Sequence, residues 1–111
     1  MRKGDIVLVP FPFTDLSGTK NRPALILVES ANDIIVAFVT SQMKWREEND
    51  LSIEPSSENG LKQSSLIRLA KLTTLDKNLV LGKLGTISTQ DLRLVNANLA
   101  QLFKINHPDT E

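Results

Sequence analysis

The chain has 111 residues, room for one domain with one core and too few for two. Its 41% apolar and 23% charged residues are ordinary for a soluble globular protein, and thirteen basic side chains against thirteen acidic ones exclude a global pull toward nucleic acid or membrane. The absence of cysteine excludes disulfide and thiolate chemistry, and no run approaches the ~20 apolar residues of a membrane span. Arg2 and Lys3 are followed by only six residues before Pro10, with Asp5 among them, so no signal peptide is read and a cytoplasmic protein is expected.

Asp5–Val9 is short and partly β-branched and predicts a strand; Pro10 and Pro12 lack backbone donors, so the chain should leave the sheet there at an edge or bulge. The polar stretch 14–21 reads as a loop rich in turn residues. Ala24–Glu29 and Ile34–Thr40 are continuous apolar runs, the pattern of strands covered on both faces, with Ser30–Asp33 as a hairpin turn. Gln42–Asp50 is charged, carries the only tryptophan, Trp45, and reads as a mobile excursion. Leu51–Glu54 is a short strand stopped by Pro55, Ser56–Gly60 a turn, and Ser64–Ala70 and Leu79–Leu84 further strands, with bends or close backbone approach at Gly82 and Gly85.

The period then changes. Ser88 with Asp91 forms a variant capping box, and Leu92, Val95, Leu99, Leu102 and Phe103 make one apolar stripe, predicting a helix from about Gln90 to Lys104. His107 lies in the tail beyond it. Five to seven short strands and one terminal helix imply a mainly β protein, a small curved barrel with the helix packed on it.

Charge is uneven along the chain. Residues 1–22 carry four basic groups against two acidic, residues 29–58 seven acidic against two basic, and residues 62–83 five basic against one acidic. If the first and third segments fold side by side they make a basic face on a neutral protein, a surface for a polyanion; the competing reading scatters these charges around a rim. Most enzyme signatures are missing. A single histidine in the tail argues against a Ser-His-Asp triad and, with no cysteine, against structural zinc. The glycines are too scattered for a phosphate-cradling loop. An active site would work with arginine, lysine and hydroxyl groups. Arg22, at the mouth of the second strand, is the candidate for a rigidly held anion contact; its alternative is a solvated surface charge.

The ordered series Gly4-Asp5-Ile6-Val7, Asn21-Arg22-Pro23-Ala24, Val39-Thr40-Ser41, Gly60-Leu61-Lys62 with Ser64-Ser65, Leu75-Asp76-Lys77 and Leu81-Gly82-Lys83-Leu84 resembles the MazF/PemK family, toxins of type II toxin–antitoxin pairs. The resemblance covers residues 4 to about 104 and so treats 1–111 as a single toxin domain. It implies an SH3-like barrel with a C-terminal helix, a homodimer, and metal-independent, sequence-specific cleavage of single-stranded RNA (mRNA) to a 2′,3′-cyclic phosphate and a 5′-hydroxyl. It also implies inhibition of growth and a cognate antitoxin whose tail blocks the RNA groove. No cofactor, metal or membrane partner is implied. By motif match, the catalytic arginine falls on Arg22 and the catalytic threonine on Thr40, which would otherwise read as an ordinary β-branched strand residue.

RNA contacts are expected at Phe13, Lys20, Asn21, Ser41, Gln42 and Lys71. Phe13 could stack a base or fill the barrel mouth; Ser41 and Gln42 could read base edges; Lys20 and Lys71 could meet phosphates. Trp45 has three open roles, at a dimer interface, on a base or as an anchor of its loop, and stands outside the site. Two departures from the family pattern are Lys71-Leu72-Thr73 in place of a frequent Gln-x-Arg and the lack of adjacent glycines before Arg22. The alternatives are a non-enzymatic toxin of the same barrel type that binds DNA gyrase, and a degenerate binding module.

Overall fold

The computed structural model describes residues 1–12 and 19–105. The strands are β1 (Asp5–Pro12), β2 (Thr19–Glu29), β3 (Asp33–Thr40), β4 (Asp50–Ile53), β5 (Ser65–Asp76) and β6 (Gly82–Thr86), followed by the helix α1 (Thr89–Phe103). All neighbouring strands are antiparallel, in the order β4-β5-β3-β2-β1-β6, and the sheet curls into a half-barrel with the helix on one side.

The two apolar runs behave as expected of strands buried on both faces. Alternate residues of β1–β3 feed two separate cores: Ile6, Leu25, Leu27, Ala37 and Val39 on one face, and Val7, Val9, Ala24, Ile26, Ile34 and Val36 on the other. The first core is closed by Val95 of α1, with Leu92 and Leu99 packed beside it. Ser88 caps that helix, its hydroxyl accepting from the Asp91 N–H at 3.0 Å, and Asp91 adds a carboxylate in the first turn where the helix dipole favours it. Of the predicted stripe, Phe103 is exposed.

The second core is closed by a segment that the sequence reading assigns differently. Leu79–Leu84 is expected as a strand, but Lys77–Leu79 forms a 3-10 turn and pairing with β1 begins only at Gly82. The Lys77 N–H donates to the Asn32 carbonyl at 2.9 Å and the Leu81 N–H to the Leu8 carbonyl at 2.8 Å. This stretch therefore runs from the β2–β3 turn to β1, laying Val80 against the second core. The apolar spacing that suggests a strand serves a crossing instead.

Pro10 and Pro12 do not take the chain out of the sheet. They pair in register with Asn21 and Thr19 of β2, whereas β6 pairs with β1 only from Asp5 to Leu8. They stand where β1 has one neighbour, so their missing N–H groups cost no ladder bond. Two further differences concern length and order. β5 runs to Asp76, well past the expected Ala70. The supposed mobile excursion contains a 3-10 turn, Met43–Trp45, and is tied at several points described below.

The Ser56–Gly60 turn packs against β6 through two glycines. Gly60 has φ +72°, and a Cβ there would lie 2.1 Å from the Leu84 carbonyl oxygen; one on Gly85 would lie 2.2 Å from that of Glu58. Asn59, buried in this turn, exchanges hydrogen bonds with Ser56 and holds the Leu61 N–H.

Asp5 fastens the same end of β6 to β1. Its buried carboxylate accepts from the Arg2 N–H at 3.0 Å and the Thr86 hydroxyl at 3.0 Å, with Lys83 Nζ at 3.4 Å. Burial alone would raise its pKa, but these three donors outweigh it and hold the carboxyl below the ordinary range. The folded state thus binds this proton less tightly than the unfolded chain. The stabilisation is complete above the unfolded value of ~3.9 and is lost as pH falls through the lower folded value. Asp5→Asn should lower stability at neutral pH by about 1–3 kcal/mol and flatten its acid dependence below about pH 4, measured by urea unfolding across pH.

Candidate functional site

Arg22 and Thr40 come together through the register of β2 and β3. Ala24 stands opposite Phe38, and two residues further along each strand, on the same face, are Arg22 and Thr40. Both line an open cavity of about 530 Å³ with Phe11, Phe38, Arg68 and Lys71. Phe11 and Phe38 meet edge to face, their centroids 4.6 Å apart and their planes at 77°, which gives the cavity an aromatic wall. A second cavity of about 350 Å³ also contains Arg22, with Ser41, Lys62, Gln63 and Ser65 around it. Arg22 is therefore shared by two adjoining hollows, both mostly apolar: the larger has the aromatic wall, and the smaller sets Leu8, Leu61 and Leu84 beside its polar groups.

A bulge in β5 builds the far wall. Ala37 pairs with Leu72 and Val39 with Ile67, so Phe38 of β3 faces the four residues Arg68–Lys71 of β5. Such an excess bends a strand and redirects its side chains. Here it brings Arg68, Ala70 and Lys71 to the cavity. Thr40 is oriented from the other side: its Oγ1 accepts from the Gln42 N–H at 3.1 Å, which occupies a lone pair and leaves the hydroxyl proton to be donated.

Arg68 is held by acids from the preceding loop. Its Nε lies 3.0 Å from the Asp50 carboxylate and its Nη2 bonds Glu47, while Asp50 also accepts from the Glu47 N–H at 2.9 Å. The Asp50 side chain is fully buried and that of Arg68 is 16% exposed. Two carboxylates on one guanidinium make Arg68 a structural tie between β4, β5 and the 41–49 loop, and its charge is spent there.

Of the residues expected at the site, Arg22, Thr40 and Lys71 line the larger cavity, and Ser41 joins Arg22 in the smaller one. Lys20 and Asn21 are exposed on β2 just before Arg22, and Gln42 is exposed beyond Thr40; these three line neither hollow. Phe13 lies outside the described residues, as does His107. The expectation of a basic face is met locally. Arg22 from the first basic segment and Lys62 and Lys71 from the third line the two hollows, while Lys77 and Lys83 of the third pair with Glu29 and Asp5. Phe11, Phe38, Arg68 and Gln63 are missed by the motif reading, and Lys62, which lies within a quoted motif, is given no contact by it. Phe11 carries a signal in the sequence, an aromatic between two prolines, and stands two pairs before Arg22 along the hairpin; the others depend on bulge and turn geometry. Among the described residues no group of three His, Cys, Asp or Glu side chains forms a metal-binding cluster, and none of the residues lining the two hollows is a carboxylate or a histidine.

Chemically, the site offers a fixed guanidinium, a hydroxyl donor, ammonium groups and a flat aromatic wall. That set suits an anion joined to planar rings. Asp50→Ala should cost about 2–4 kcal/mol, because it strands a half-buried guanidinium and orphans the Glu47 N–H; denaturant unfolding reads the loss.

The sequence matches a model of the PemK-like, MazF-like toxins of type II toxin–antitoxin systems over residues 2–103. No curated protein matches it at a significant level. Among solved structures, the fold is similar to the Mycobacterium tuberculosis toxin MazF-mt6 (TM-score 0.75, 17% identity, covering 93% of this chain and 99% of that one). It is similar also to an endoribonuclease in complex with its cognate antitoxin from a mycobacterial species (TM-score 0.73, 18% identity, 97% and 99% covered). A third match is MazF from Deinococcus radiodurans (TM-score 0.72, 19% identity, 95% and 97% covered). The match over nearly the whole chain, on the same curled sheet and terminal helix, means that this protein belongs to the PemK-like, MazF-like toxin family of type II toxin–antitoxin systems.

Proposed function

We propose that the protein is a sequence-specific endoribonuclease that cuts single-stranded RNA without a metal, and that a cognate antitoxin restrains it. The observation that carries this reading is the meeting of Arg22 and Thr40 on one face, in the wall of an aromatic hollow, with Arg22 shared by a second hollow that holds Ser41, Lys62 and Gln63. A phosphodiester at Arg22 would have a nucleoside on either side, and each hollow has the size and lining for one.

RNA brings its own nucleophile. In the proposed reaction the 2′-oxygen attacks phosphorus, the bond from phosphorus to O5′ breaks, the 2′-hydroxyl proton leaves and O5′ gains one. The products are a 2′,3′-cyclic phosphate and a 5′-hydroxyl, and no water is consumed. Arg22 donates two parallel hydrogen bonds to the phosphoryl oxygens as their charge grows, and Thr40 donates a third. A guanidinium keeps its proton, so Arg22 acts by electrostatics and solvent in the open hollow carries the protons. Lys71 and Lys62 supply charge to flanking phosphates, and Ser41 and Gln63 supply polar contacts to a base.

The test is incubation of the purified protein with a long single-stranded RNA in EDTA, followed by mapping of the fragment ends. Cuts at one short sequence are expected, with cyclic phosphate and 5′-hydroxyl ends. Arg22→Ala should reduce cleavage at least ~10²–10³-fold, Thr40→Val ~10²-fold, and Thr40→Ser much less. Cleavage retained in Arg22→Ala sinks the assignment, and gyrase inhibition without any RNA cleavage would replace it.

The same reading includes a cytoplasmic homodimer. Leu79, Leu81 and Leu84 are exposed around the crossing and β6, and Phe103 and Ile105 at the end of the helix, more apolar surface than a monomer needs. Equilibrium sedimentation at micromolar concentration should give twice the monomer mass of 12.3 kDa; a monomer alone would count against it.

A further inference from the structure

Trp45 is the largest side chain the site description leaves unused, and it is 58% exposed. Its position is not that of a loose surface residue. The 3-10 turn that carries it starts at Met43, two residues after Ser41, which lines the smaller hollow. The Met43 N–H donates to the Ser41 carbonyl at 3.0 Å and the Trp45 N–H to the Gln42 carbonyl at 3.1 Å, while the Gln42 N–H is the one held by Thr40. On its other side Arg46 bonds the Ser52 hydroxyl, and Glu47 and Asp50 hold Arg68, itself part of the wall of the aromatic hollow. The ring is thus presented to solvent on a segment tied at both ends to the site. It lies five positions after Thr40, a span of at most ~17 Å of extended chain and less in a tight turn. Lys44 Nζ lies over one face of the ring, 5.3 Å from its centroid, so a base would stack on the opposite face.

We propose that Trp45 is a base-stacking residue for single-stranded RNA just outside the two hollows. It would bind a nucleotide a few positions along from the cleaved bond, with Lys44 meeting an adjoining phosphate. This rests on the endoribonuclease reading and extends its binding surface beyond Arg22 and Thr40. A preordered ring needs little further ordering to stack, and stacking tolerates any base. Trp45 therefore adds affinity for the strand and little selectivity for one sequence. It touches no reacting atom, so its effect falls on KM and spares kcat.

Trp45 is the only tryptophan and the chain has no tyrosine, so the intrinsic emission excited at tryptophan wavelengths belongs to this one ring. The experiment titrates the intact protein with a mixed-sequence single-stranded oligonucleotide made throughout of 2′-O-methyl RNA, which has no free 2′-hydroxyl and cannot be cut. Binding is followed independently by anisotropy of a label on the oligonucleotide. Quenching of Trp45 that saturates together with the anisotropy is expected. In cleavage assays on natural RNA, Trp45→Ala should raise KM about five- to a hundredfold with kcat within about twofold, and Trp45→Phe should recover most of the loss. Melting temperature should stay put in both, as the side chain is exposed.

Anisotropy that rises with unchanged tryptophan emission overturns the proposal, as does an unchanged KM in Trp45→Ala. So does a ring already shielded from acrylamide in RNA-free protein, which would mean that a second protein surface covers it. Any of these with cleavage intact leaves the ribonuclease reading standing. Failure of that reading shows separately, as absence of cleavage by the unaltered protein.

Discussion

Everything in this molecule follows from a three-stranded centre that is apolar on both faces. β1, β2 and β3 send alternate residues into two cores, so neither face can be left to water. A fully buried Val, Leu or Ile contributes about 1.5–3 kcal/mol relative to an exposed one, and six such strand positions lie in the second core alone if Ala24 is included at a smaller value. One face has a helix. Among the described residues the other has the crossing from β5 to β6, which must pass over β3, β2 and β1 because β6 pairs at the far side of β1. The crossing is pinned at the Asn32 carbonyl where it starts and at that of Leu8 where it ends, and Val80 fills the space between. Lys77 adds an ion pair to Glu29 at 2.9 Å, tying its start to the end of β2.

The candidate site lies where this two-sided burial runs out. Along β2 the second face reads Ile26, Ala24, Arg22, and along β3 Val36, Phe38, Thr40: buried apolar groups, then polar ones at the opening. Arg22 and Thr40 are thus held by strands whose other residues cannot move without exposing core. The aromatic pair of Phe11 and Phe38 marks the transition, half-buried, with Phe38 packed on the second core. A pair on such a frame is preorganised by packing, the property that the proposed electrostatic stabilisation of a transient charge requires.

The strands, the hairpin and the helix were legible because each has a local cause: alternating burial, the Ser30–Asp33 turn, the Ser88 cap. The pairing inside the site was not. At the turn, Glu29 stands opposite Ile34 and Val28 opposite Ile35; continuing that register would set Arg22 opposite Ser41. A bulge at Leu27 shifts the register by one, after which Ile26 meets Val36 and Ala24 meets Phe38, the register that continues toward Arg22 and Thr40 rather than Ser41. No residue type announces that bulge. Leu27 sits in an unbroken apolar run, and the shift comes from the curvature the sheet needs to serve both cores. The same holds for the excess of residues in β5 that brings Arg68 and Lys71 to the cavity. The motif resemblance selected Thr40 over Ser41 where strand pairing counted from the turn would have chosen the neighbour.

Charge follows the same logic of distance along the chain against distance in space. The acidic 29–58 segment contains Glu47 and Asp50, which hold Arg68, and Glu29, which holds Lys77, while Asp5 engages Lys83. The basic 62–83 segment is in this way largely used to fasten the fold. What it leaves at the two hollows is Lys62 and Lys71, joined by Arg22. A neutral protein can still bind a polyanion with so few charges, provided each is fixed where a phosphate will lie. Single-stranded nucleic acid gives a salt slope of about −0.7 for each phosphate neutralised, so a site of two or three such contacts is only modestly salt-dependent. The rest of the affinity must come from flat apolar surface. In the proposed function, the aromatic wall at Phe11 and Phe38 and the exposed ring of Trp45 would supply that surface.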